Sequence, residues 1–102
     1  MRPLLSLLLA CAATCACAHE EPLLRLKRGQ PAPVARLIER IVECNHWGGE
    51  EAYDAERARD IQQAMDRLHC DALAGDEALL RQRYRLDASV GAALDQAATL
   101  DY

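Results

Sequence analysis

Four residues carry metal-ligand chemistry: Cys44, His46, His69 and Cys70, in a Cys-x-His…His-Cys order. Thiolates and imidazoles are the ligand types of a tetrahedral zinc site. The spacing matches no established zinc pattern, and adjacent helical residues diverge by about 100°, so His69 and Cys70 do not readily face one ion. Glu50 and Glu51 follow His46 closely, as an acid–base group would. A catalytic set also needs a nucleophile, and beyond residue 18 the only hydroxyls of serine or threonine are Ser89 and Thr99, both late in the chain. No nucleophile, base and orienting partner can be assembled, so an enzyme is not expected. A free amine on His19 would chelate copper, but such sites use further histidines and only His46 and His69 remain.

Whether the thiolates exist at all depends on the compartment. Residues 1–18, "MRPLLSLLLACAATCACA", have one early arginine, an apolar run from Leu4 to Ala13 and the small-residue ending Ala16-Cys17-Ala18. This reads as a secretory signal peptide cleaved after Ala18. The run is too short to span a bilayer, which takes about 20 residues. Leu8-Leu9-Ala10-Cys11 loosely resembles a lipobox, so membrane attachment would require lipidation at Cys11. Removing the signal discards Cys11, Cys15 and Cys17 and leaves Cys44 and Cys70. In an oxidising compartment one pair has one intramolecular connection, a disulfide.

Removal of residues 1–18 from 102 leaves 84, enough for one domain with a small core. Net charge moves from −4 to −5 when Arg2 leaves. An acidic chain argues against nucleic acid as partner and offers no general steering toward anionic lipid. With no Phe, the interior must be built from Leu, Ile, Val, Ala and Met. A disulfide closing a loop of about 26 residues then contributes roughly 3 kcal/mol, a large share of a typical total stability.

The elements that position these residues read as helices. Residues 19–32 carry Pro22, Gly29 and Pro31 without periodicity and are expected to be a flexible leader bearing Arg25, Lys27 and Arg28. Val34, Leu37, Ile38, Ile41 and Val42 fall at i, i+3, i+4, i+7, i+8 and predict a helix over 33–44. Asp54 suits an N-cap, and Ala58, Ile61, Met65 and Leu68 predict a buried helical face over 55–69. A third helix follows Asp71 or starts at Asp76, carrying Leu73, Leu80 and Tyr84. Asp87 caps a last helix with Val90, Leu94 and Ala97 inward, and residues 99–102 are expected to fray. The domain is thus all-α, a bundle of three to four helices over 33–98, monomeric or weakly dimeric, cross-linked Cys44–Cys70.

That cross-link constrains the segment between the first two helices. If they end at Cys44 and Cys70 and lie antiparallel, the cysteines stand apart by the length of the second helix, on the order of 22 Å. A disulfide needs Cα atoms about 5.5 Å apart. Residues 45–54, "NHWGGEEAYD", are therefore expected to run back along that helix as a strap anchored by Trp47 and Tyr53, its glycines allowing close approach or positive φ. His46, Trp47, Glu50, Glu51 and Tyr53 would form the surface presented to a partner.

The pattern Cys44-x-His46-Trp47-x-Gly49-Glu50-Glu51-x-Tyr53-Asp54-x-Glu56-Arg57, with Cys70 and Leu80-Arg81-x-Arg83-Tyr84, resembles a group of small uncharacterised exported bacterial proteins. The resemblance covers about residues 34–98 and implies no activity. A fainter similarity, through a cysteine followed by a helix with Leu80-x-x-x-Tyr84, is to the helical cysteine domains of lysozyme-inhibitor-like envelope proteins. The expectation is a non-enzymatic binding module, periplasmic or secreted, acting on an envelope protein or cell-wall component. Lysozyme inhibition and zinc or copper binding are the alternatives.

Overall fold

The structure, a computed structural model, describes residues 21–100. The expected signal peptide, Cys11, His19 and residues 101–102 lie outside them. Among the described residues the chain is all-helical: α1 Pro22–Lys27, α2 Ala32–Gly48, α3 Ala55–Arg67, a 3₁₀ turn Cys70–Ala72, α4 Leu73–Arg83 and α5 Ala88–Ala98. Five helices replace the expected three to four. The added one is α1, inside the supposed leader, where Leu23 and Leu26 pack against the core and Lys27 pairs with Glu39 at 3.1 Å. Three apolar residues in six give too short a pattern to register as periodicity. Gly29, at φ 73°, supplies the left-handed turn that folds α1 back toward α2.

The core is a seam between α2 and α5. Val34, Leu37, Ile38, Ile41 and Val42 of α2 meet Val90, Ala93, Leu94 and Ala97 of α5, which recur at i, i+3, i+4, i+7. Two alanines on α5 let that helix approach closely. Leu73, Leu80, Tyr84 and Leu100 seal the edges, so the described part of the supposed fraying tail is packed. Ile38, Leu94, Val34, Val42 and Val90 are the largest fully buried side chains. At about 1.5–3 kcal/mol each they amount to a gross hydrophobic contribution on the order of 10 kcal/mol. Cross-links outside this seam therefore matter.

α3 is held less by burial than by its ends. Only Ala64 is buried; Ile61, Met65 and Leu68 are half-buried and Ala58 is exposed. At its start Asp54 accepts a 2.7 Å hydrogen bond from the Arg57 backbone N–H, the expected cap. At its end Arg40 of α2 donates from Nε to the Leu68 carbonyl at 2.9 Å and from Nη2 to the His69 carbonyl at 3.0 Å. Its Nη1 reaches Asp76 of α4 at 2.7 Å. One guanidinium thus caps the C-terminus of α3 and ties it to α2 and α4.

His69 stops α3. Its φ of 51° and ψ of 50° are left-handed, and it is the one positive-φ residue other than glycine among those described. The break re-aims the chain, and Cys70 reaches disulfide distance from Cys44, with Cα atoms 5.7 Å apart. This selects a chain break near Cys70 over a cysteine on the back of a continuing helix. α4 begins at Leu73, ahead of Gly75. It is tied to α5 through Arg81, 2.8 Å from Asp95, while also bonding Glu77 at 3.2 Å. Burial pulls the pKa of the Arg81 guanidinium down, but the bonds to Asp95 and Glu77 outweigh it and leave it above its ordinary value. Asp87 caps α5 as expected, accepting from the N–H groups of Ser89 and Val90.

Candidate functional site

The stretch expected as a strap is, over its first four residues, the end of a helix. α2 continues through Asn45, His46, Trp47 and Gly48, more than a turn past Cys44, and only residues 49–54 are non-helical. The first helix therefore does not end at its cysteine. The four added residues lengthen α2 by about 6 Å, and Cys70, beyond the far end of α3, comes within 5.7 Å of Cys44 between Cα atoms. Neither glycine forces the chain off course: Gly49 sits at φ −89°, ψ −8°, and its N–H still donates to Asn45 and His46 carbonyls. The helix end is also fastened laterally, because the Asn45 side-chain amide donates to the Ala98 carbonyl at the end of α5 at 3.2 Å.

At this tip three of the five candidate residues come together around Arg57, which was not among the candidates. His46 and Glu50 are one turn apart, with Nε2 to Oε1 at 3.4 Å. The other Glu50 oxygen lies 3.3 Å from Nη2 of Arg57, in the first turn of α3. The Arg57 guanidinium lies 5.3 Å from the Trp47 ring centroid. The His46 ring stands edge-on to Trp47, centroids 5.5 Å apart at 73°. In the sequence Arg57 stands out only as part of the resemblance pattern; which partner its long side chain finds is decided by where α2 ends. Its Nε is buried without a hydrogen-bond partner among the described residues, as befits a guanidinium turned against an aromatic face.

The other two candidates stand apart. Tyr53 is 81% exposed and Glu51 is exposed, so Tyr53 is not an anchor pinned to α3. Glu50 is engaged as a bridge between α2 and α3. Ser89 accepts a hydrogen bond from Gln30, and the Thr99 hydroxyl donates to the Gln96 carbonyl, so both hydroxyls have partners. Nor are the four residues of ligand type gathered: Cys44 and Cys70 lie at disulfide distance from each other, His46 faces Glu50, and His69 is exposed. Among the described residues, no group of three or more His, Cys, Asp or Glu is arranged to hold a metal ion.

What the arrangement offers is a platform. An indole, a guanidinium and a carboxylate lock the ends of the 49–54 loop, and the loop presents a phenol and a carboxylate to solvent. No described helix is long and apolar enough to cross a membrane. Compared with protein-family profiles, curated proteins and solved structures, the chain matches none.

Proposed function

We propose that the mature chain is an exported, non-enzymatic binding module of the cell envelope, covalently closed by a Cys44–Cys70 disulfide and cut from its signal peptide after Ala18. Its recognition element is the 49–54 loop, with Tyr53 and Glu51 as the contacting residues. His46, Trp47, Glu50 and Arg57 act beneath them as the support. The observation that carries this reading is an 81% exposed tyrosine on a loop fastened at both sides, by the Glu50–Arg57 pair and the Asp54 cap. Tyrosine supplies contact area at low entropic cost, and a fastened loop has less freedom left to lose on binding.

A photo-reactive residue in place of Tyr53 tests this in cells exporting the protein, with one in place of the exposed Gln63 on α3 as control. Discrete adducts from position 53 alone, suppressed by excess unmodified protein, are expected. Identical adducts from both positions, or none, would remove the assignment. Mass spectrometry of the same material checks for His19 as the first residue and for the disulfide.

A further inference from the structure

A second surface, away from the tip, lies where α2 and α4 meet. Its α2 side is Pro33, Arg36, Leu37 and Arg40; its α4 side is Asp76, Leu79, Leu80 and Arg83. Both sets fall at i, i+3, i+4, i+7, one stripe on each helix, so the sequence builds two matching banks of a groove. The Arg40–Asp76 pair closes one end at 2.7 Å. From Pro33 to Arg40 the α2 bank is about 10 Å long, the reach of about three extended residues.

The floor and the rim differ in character. Leu37 is buried and Leu80 half-buried, whereas Leu79 is 71% exposed, a large apolar side chain left uncovered beside the core. Arg36 and Arg83 are exposed, and neither side chain makes an ion pair or hydrogen bond with another described residue. Asp76, the one acid of the lining, is held by Arg40. The groove is therefore locally cationic and apolar on a chain whose net charge is −4.

We infer that this groove binds an acidic peptide segment, seating an apolar side chain on Leu79 and Leu80 and its carboxylates against Arg36 and Arg83. Charge complementarity selects the occupant. Beyond a Debye length of about 8 Å the field of individual charges is screened, so a short peptide senses the local arginines. An anionic membrane meets a broad face of an acidic protein instead. A concave groove of about three residues suits one peptide strand and fits a flat lipid surface poorly. Arginine gives each carboxylate a forked, charge-assisted contact.

The inference is independent of the role given to the 49–54 loop and is tested on the oxidised mature protein. Probes are a fluorescent hexapeptide of Asp, Glu and Leu, its Asn/Gln/Leu counterpart, and vesicles containing phosphatidylglycerol. The acidic peptide is expected to bind, and to weaken steeply as salt is raised from roughly 50 to 500 mM. R36E and R83E should each weaken it about tenfold, one lost charge-assisted contact, and L79S should weaken it too. All three positions are exposed, so circular dichroism and thermal midpoint should stay unchanged. A Y53A variant should bind the peptide normally. Equal binding of the acidic and amide peptides, or indifference to R36E and R83E, would overturn the inference. Arginine-dependent vesicle binding or self-association without peptide binding would overturn it too, assigning the groove to lipid or to a second copy.

Discussion

Arg40 offers the sharpest test of how this small fold is held. Replacing it with glutamine removes two donors from the Leu68 and His69 carbonyls, at 2.9 and 3.0 Å, and the 2.7 Å pair with Asp76. Hydrogen bonds involving a charged group contribute about 1.5–3 kcal/mol when buried. This site is partly exposed, with the Arg40 side chain at 25% and Asp76 at 46%, so the pair with Asp76 is discounted to under about 1 kcal/mol. Allowing about 1 kcal/mol for each carbonyl gives a loss of about 2–3 kcal/mol. For a domain of this size that lowers the thermal midpoint by about 10–20 °C. Urea and thermal unfolding, followed by circular dichroism under oxidising conditions, measure it. A loss below about 0.5 kcal/mol, the range of ordinary surface changes, would refute the view that Arg40 organises the end of α3. An R40K variant should recover only part of the loss, because an ammonium lacks the fork that serves three acceptors.

The cysteine pair and the left-handed histidine make two further predictions. Reduction, or the double change C44A and C70A, should cost about 3.5 kcal/mol from the 26-residue separation, read as a fall in the urea midpoint; an unchanged midpoint would show that no cross-link constrains the unfolded chain. His69→Gly should stabilise the fold by about 1 kcal/mol, since glycine meets no Cβ penalty at φ 51°, and a lower thermal midpoint would show that the imidazole contributes more than its backbone strain costs.

Much of the fold was legible because the pattern is local. The apolar stripe of α2, the Asp54 and Asp87 caps and the helical face of α5 are each written within one or two turns, where 3.6-residue periodicity and capping chemistry act. α1 was not, since six residues with three leucines, two of them packed on the core, carry no periodicity and their order comes from packing against α2 and α5. At the candidate site the sequence picked out His46, Trp47 and Glu50 as neighbours but placed them on a strap. It had no means of joining them to Arg57, which lies across a loop on another helix.

The end of α2 shows where local information stops. Gly48 and Gly49 weaken a helix without forbidding it, and nothing nearby in the chain decides between stopping at Cys44 and continuing. The packing decides: Asn45 bonds the end of α5, and Trp47 and Glu50 meet Arg57 of α3, which rewards the extra turn. The same holds for His69, whose left-handed conformation the Arg40 contacts and the Cys44–Cys70 approach hold in place. By itself the sequence determined an all-helical chain, the α2 and α5 faces that form its seam, and one candidate cysteine pair. Tertiary structure decided where the helices end, which residues gather at the tip, and that two separate stripes become the banks of one groove, because each of these depends on contacts between residues far apart in the chain.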